Sequence, residues 1–249
     1  MKKNIYLDYA STTPTDPKVV KAMEPYWTKY YGNPSSLYQL GLKSKEAITE
    51  AKLKISQLLN CQSDEIIFTG GGTESINLAL KGVMNKVKDG HIITSATEHH
   101  AVLHTTDSLK KSGHSVSILP VDAEGLIKLT DISKAIKNNT RLVSIMMANN
   151  EIGVIQDIQK IGALLERLNK TRLEKNLPKI YFHTDACQAS GVLDLDVKKL
   201  HVDLLTINGS KAYGPKGVGA LYIKTGTIIG PIIDGGGQEN NLRSGTENV

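Results

Sequence analysis

Lys211 stands in the stretch TINGSKAYGPKGVGALY (Thr206–Tyr222), directly behind an apolar run and just ahead of a turn studded with glycine. An ordinary surface lysine would not need such framing. Other polar groups follow apolar runs in the same way. Gly70-Gly71-Gly72-Thr73-Glu74-Ser75 follows EIIFT. Glycines ahead of a helix leave backbone N–H groups free to face an anion, and the helix dipole adds attraction, although a plain strand-to-helix turn reads the same way. His99 and His100 follow HIITS in ATEHHA, where an imidazole can stack on a planar ligand. Asn149 and Asn150 follow RLVSIMMA, and Asp185 and Gln188 follow KIYFHT in DACQ. A carboxylate at the end of an apolar strand is costly unless a cation pairs with it. Pyridoxal phosphate chemistry needs this set. The lysine forms a Schiff base with the aldehyde, the carboxylate keeps the pyridine nitrogen protonated so that the ring can accept electrons, and the cradle takes the phosphate.

Two other phosphate motifs fail. In G-x-G-x-x-G register, Ser75 falls where the third Gly or Ala belongs, so this is not a dinucleotide fingerprint. Gly209 and Gly214 have the Walker separation, but Pro215 replaces the defining lysine.

The elements that must position these groups alternate along the chain. Helical spacing follows Pro17 (Val19, Ala22, Met23, Tyr26, Trp27, Tyr30) and recurs at Ile48, Ala51, Ile55, Leu58 and Leu59. Strands are expected at Glu65–Thr69, at HIITS from His91, at HSVSILP from His114 and at RLVSIMMA from Arg141. Three more are expected at KIYFHTDA from Lys179, VDLLTIN from Val202 and VGALYI from Val218. Helices are expected behind the glycine turn, from Ala101, in LTDISKAIKN with Thr130 or Asp131 as cap, and over Ile158, Ile161, Leu164, Leu165 and Leu168. Asn169–Lys179 (NKTRLEKNLPK) reads as a polar, exposed loop. The alternation predicts an α/β fold: a mostly parallel, mixed seven-stranded sheet with helices on both faces. Ligands of such sheets sit at the carboxyl ends of the strands, where the polar groups above fall.

Composition narrows the classes. A chain of 249 residues with 40% hydrophobic content buries a substantial core. The net charge is +5, but the lysines are spread along helical segments and only two Phe and one Trp are available for stacking, so a nucleic-acid partner is disfavoured. Cys61 and Cys187 are too few for a disulfide framework and lack metal-ligand spacing, which fits a reducing, cytoplasmic setting without a metal. MKKNIYLDYAS has no apolar region behind its lysines, so no signal peptide is expected, and no run approaches a membrane span.

At this point the chain resembles a known family. YLDYASTTP, YGNPSS, TGGGTES, TEHHAV, NNEIGVIQDI, HTDACQASG, SKAYGPKGVGALY and LRSGTENV occur in order and cover essentially the whole chain. Together they resemble the cysteine desulfurases, the sulfur-mobilising branch of the class V aminotransferase-like, fold-type I pyridoxal phosphate enzymes. The resemblance implies that L-cysteine is converted to L-alanine, with the sulfur leaving as a persulfide for an acceptor protein in iron–sulfur cluster or thio-cofactor assembly. It implies Lys211 as the cofactor-bearing lysine, Asp185 as partner of the ring nitrogen and Gln188 as donor to the ring oxygen. His99 would stack on the ring and relay protons, with Gly72 and Thr73 as the phosphate cradle. Asn150 would lie near the ring oxygen and the substrate carboxylate, and Asn33 near the substrate. Thr246 would reach the phosphate of a neighbouring subunit, which implies a homodimer.

The departures are specific. Ser210 stands where the family usually has histidine, and Asn208 where it has serine; both family residues help hold the phosphate, and both replacements can donate hydrogen bonds. Gly70 and Gly72 replace the common serine and alanine. The implied layout is an N-terminal segment over residues 1–14 and the large domain over 15–249, without the smaller C-terminal domain. In the family that domain carries the nucleophilic cysteine on a mobile loop and the arginine that binds the substrate carboxylate. Neither Cys61, expected to pack in the core, nor Cys187, expected to be a structural thiol, matches that nucleophile. Two other readings remain at this stage: a non-catalytic, cofactor- or partner-binding relative, and a pyridoxal phosphate lyase or aminotransferase of different specificity.

Overall fold

Seven short apolar runs pair into one sheet. The computed structural model describes residues 5–249; residues 1–4, part of the expected N-terminal segment, lie outside the described residues. The strands are β1 (Ile66–Thr69), β2 (His91–Ser95), β3 (Ser115–Leu119), β4 (Thr140–Ser144), β5 (Tyr181–Asp185), β6 (Leu204–Asn208) and β7 (Gly219–Ile223). Their order is β1-β7-β6-β5-β4-β2-β3. The pairs β2–β3, β2–β4, β4–β5 and β5–β6 are parallel, whereas β7 runs antiparallel to both β6 and β1. The expected mixed, mostly parallel seven-stranded sheet is present.

Neighbouring residues on a strand point to opposite faces. Ile93, Val143, Phe182, Leu205 and Tyr222 pack in one core with Ile158, Ile161 and Leu165 of helix α6 (Ile158–Glu174). Ile92, Leu142, Tyr181, Leu204 and Leu221, each one residue earlier, pack in a second core. This second core receives Ile76, Ala79, Leu80 and Val83 of α3 (Gly72–Met84) and Val102 and Leu109 of α4 (His100–Lys111). A sheet covered on both faces must be apolar at consecutive positions, and β2, β5 and β7 are buried throughout.

Two helices precede the sheet, α1 (Pro17–Thr28) and α2 (Gln39–Leu59). Asp16 caps α1 by accepting the Lys18 amide at 2.7 Å, with Pro17 at the first helical position. Ahead of them, residues 13–16 are bonded to the turn that carries Lys211. Thr13 N donates to Ser210 O at 2.9 Å, Tyr213 N to Thr13 Oγ1 at 2.9 Å, and Asp16 N to Tyr213 O at 2.9 Å.

Two local expectations change. The helix α5 (Leu129–Ala135) begins after Lys128 with no side-chain cap, so neither Thr130 nor Asp131 is its N-cap; both lie inside it. The polar stretch from Asn169 is not all loop, because α6 continues to Glu174. Nor is it all exposed: Arg172 is buried, its guanidinium donating to the carbonyls of Pro178, Lys137, Asn138 and Thr140. A planar fork of five N–H groups can be buried when that many carbonyls converge on it. Cys61 packs against the first core, as expected.

Candidate active site

At the carboxyl edge of the parallel strands lies a cavity of about 440 Å³. Gly72, Thr73, His99, Asn150, Asp185, Gln188, Asn208 and Lys211 all line it. These residues come from five separate stretches of the chain, and the sheet brings them together because each directly follows or ends a strand.

Lys211 ends a 3-10 turn, Gly209–Lys211, that starts where β6 ends. The turn needs glycine at 209, where a Cβ would lie 2.7 Å from Val218 Cγ1 and 3.0 Å from Pro215 O. The Lys211 ammonium donates to Ala10 O at 2.6 Å and Ser11 O at 2.7 Å, and Gln188 Nε2 donates to the same Ala10 carbonyl at 2.6 Å. The YLDYASTTP segment thus borders the cavity and holds the amine.

Asp185 closes β5 and is buried, and its Oδ1 accepts the Cys187 amide at 3.0 Å. His99 is the N-cap of α4. Its Nδ1 accepts the Ala101 amide at 3.0 Å, so the neutral ring carries its proton on Nε2. The helix α3 opens at Gly71 with φ 147° and has no side-chain cap, leaving its first-turn amides beside Asn208 for an anion. Gly219 of β7 permits this approach, since a Cβ there would lie 2.6 Å from Gly71 C. On the outer side of the cradle, Ser210 and Lys216 line a second, open hollow with Gly70–Gly72, Thr73 and Asn208.

The two cysteines are both held as thiols. Burial, with the Asp185 charge, pushes Cys187 well above the usual thiol range. Burial pushes Cys61 up to about 12. Cys187 lines the cavity and fills space that glycine at 72 leaves open: a Cβ on Gly72 would lie 2.8 Å from its Sγ.

Three expected site residues lie outside this cavity lining: Ser210, which lines the outer hollow, and Asn33 and Thr246, which lie elsewhere. Asn33 is exposed and outside the cavity lining, its Oδ1 accepting the Ser35 amide at 2.9 Å. Thr246 is exposed and outside the lining as well. Glu74 ties the glycine turn to the segment before Thr246, accepting Gly70 N at 2.9 Å and Arg243 Nε at 2.8 Å. Ala10, Ser11 and Glu98 also support the site, without a side-chain signal in the sequence that marks them. The first two act through backbone carbonyls, which leave no side-chain signal. Glu98 is buried and its carboxyl is pushed up to about 8 by burial, against the bonds it accepts from Met146 N and Ser95 Oγ.

The Aminotransferase class-V family model matches residues 5–247. The chain is 51% identical over 251 aligned positions to the cysteine desulfurase IscS of Clostridium botulinum, covering all of this chain and 61% of that one. It is 46% identical to the mitochondrial cysteine desulfurase of Saccharomyces cerevisiae, covering 97% of this chain and 48% of that one. The chain therefore spans about three-fifths, or less, of the length of these curated relatives. Among solved structures, "SspA in complex with cysteine" matches with a TM-score of 0.90 at 40% identity, over 97% of this chain and 68% of that one. A NifS-like protein matches with a TM-score of 0.92 at 39% identity, over 99% of this chain and 66% of that one. With the sheet, the cavity and the ordered motifs in agreement, the chain belongs to the class-V aminotransferase family, and the curated relatives it is similar to are cysteine desulfurases.

Proposed function

We propose that the chain is the cofactor-binding part of a pyridoxal phosphate-dependent cysteine desulfurase. The observation that carries the reading is the convergence of Lys211, Asp185, His99 and the uncapped start of α3 on one cavity. The residues fit the cofactor. The α3 amides with Thr73 and Asn208 would hold the phosphate, helped from the outer side by Ser210. Asp185 would pair with the ring nitrogen, Gln188 and Asn150 would hydrogen-bond near the ring oxygen, and His99 would cover the ring face. Bound there, pyridoxal phosphate supplies an electron-accepting ring that stabilises negative charge on the α carbon of L-cysteine.

The chain's own groups then bind, orient and move protons. Asp185, buried and short of partners, is placed to keep a cation beside it. The Lys211 Nζ exchanges its bonds to Ala10 O and Ser11 O for the cavity, and it and His99 Nε2 are the proton carriers facing the substrate. Neither Cys61 nor Cys187 suits the sulfur-accepting role, since a thiolate is the nucleophile and both are held as thiols. The sulfur therefore passes to another thiol, as a persulfide bound for cluster or thio-cofactor assembly in the cytoplasm. Asn33 would lie on the substrate side. Thr246, exposed and outside its own cavity, would serve the phosphate of a second copy in a homodimer.

Borohydride trapping tests the reading. The purified chain is incubated with pyridoxal phosphate and reduced, and the labelled peptide is located by mass spectrometry. A single adduct on Lys211, lost in Lys211→Ala, is the expected result. Labelling scattered over surface lysines would overturn it.

A further inference from the structure

His99 and Asn150 sit on different loops, yet the chemistry above needs them at a set separation. The β2–α4 loop carries His99; the turn after β4 carries Asn150. Alternate amides of a strand point to opposite neighbours. Past the end of β4, Ile145 N and Met147 N still reach β5, donating to His183 O and Asp185 O. The amide of Met146 between them points the other way, toward β2, but β2 has already ended at Ser95. Glu98 takes the place of the missing strand: its Oε1 accepts Met146 N at 2.8 Å and Ser95 Oγ at 2.7 Å. Asn149 makes the reciprocal bond, its Nδ2 donating to Thr97 O at 2.7 Å. Its Oδ1 accepts the amides of Glu151 and Ile152 at 2.8 and 2.9 Å, which shapes the turn that presents Asn150. Both side chains are buried, Glu98 at 5% and Asn149 at 8% exposure.

We propose that Glu98 and Asn149 are paired positioning residues, a clasp that fastens the His99 loop to the Asn150 turn and so sets the gap between those two groups across the cavity. The use of that gap rests on the cavity being the pyridoxal phosphate site; the clasp itself does not. The second carboxyl oxygen, Glu98 Oε2, is buried with no partner, where a charge would be costly. With the carboxyl pushed up by burial, Glu98 holds its proton at neutral pH, and glutamine is a close mimic.

The test uses Glu98→Gln, Glu98→Ala and Asn149→Ala in the full chain, with two readouts. The first needs no cofactor. The Ala101 amide is held by His99 Nδ1, so its hydrogen exchange reports the seating of the His99 ring. Exchange about tenfold faster or more in either alanine variant, and near wild type in Glu98→Gln, is expected from loss of a local constraint. The second is the visible circular dichroism of added pyridoxal phosphate. It should weaken in both alanine variants, and Glu98→Ala should change nothing further in a His99→Ala background. Unchanged Ala101 exchange in both alanine variants would overturn the clasp, as would an undiminished Glu98→Ala effect on the His99→Ala background. If Glu98→Ala does not fold, Asn149→Ala and Glu98→Gln still decide. A wild-type chain that binds no cofactor would sink the functional reading instead, while the exchange measurement still judges the clasp.

Discussion

Gly72→Ala offers a quantitative check on the packing of the cradle. The methyl would lie 2.8 Å from Cys187 Sγ and 3.3 Å from Asn208 Cβ. Nonbonded heavy atoms of this kind prefer about 3.5–4.0 Å, so the sulfur contact is too short by roughly 0.7–1.2 Å. Overpacking of that order costs about 1–3 kcal/mol. Gly72 is the first residue of α3, where replacing glycine returns less than the roughly 0.5–1 kcal/mol of a helix interior, so the single variant should be destabilised by about 1–2 kcal/mol. In a Cys187→Ala background the sulfur is gone and only the milder Asn208 contact remains. There the same change should be neutral, or stabilising by about 0.5 kcal/mol. Urea unfolding of the four chains without cofactor gives the coupling energy, expected at about 1–2 kcal/mol. If Gly72→Ala shifts stability equally in both backgrounds, within about 0.5 kcal/mol, the sulfur does not occupy that space and the reasoning fails.

Two further outcomes follow from burial. His91 and His183 are fully buried between hydroxyls, His91 with Thr140 and Ser117 and His183 with Ser144 and Thr206. Burial holds them down at about 4 and about 3, against an ordinary 6.5. The unfolded chain takes the proton more readily, so the stability is complete above the ordinary value and drains away as the pH falls toward the folded values. Each histidine should cost about 2 kcal/mol by pH 5, read as a falling urea midpoint; a midpoint flat from pH 7.5 to 5 would contradict it. Both thiols, Cys61 and Cys187, are free and held protonated. At pH 8 in the native chain Cys61 should react with a disulfide reagent on the order of a thousandfold more slowly than after denaturation, and Cys187 should be slowed in the same direction. Rapid native labelling of either would reopen its candidacy as the sulfur acceptor.

The sequence by itself determined the elements and which polar groups stand at their ends. Consecutive apolar positions in strands buried on both faces, and the polar residue ending each run, are local signals, and they located Lys211, Asp185, His99 and Gly72. The ordered motifs named the family. Most of what failed was decided by contacts distant in the chain. Arg172 reads as an exposed loop cation until carbonyls from Lys137, Asn138 and Thr140 converge on its guanidinium. Thr130 and Asp131 look like caps, but the chain enters α5 two and three residues earlier, at Lys128. The seat of the Lys211 amine rests on carbonyls some 200 residues earlier, and backbone acceptors carry no side-chain signature. Glu98 is the sharpest case. Beside a histidine it reads as one more surface charge; only the sheet shows that β2 stops one residue too soon for Met146, and that a buried carboxyl completes the ladder.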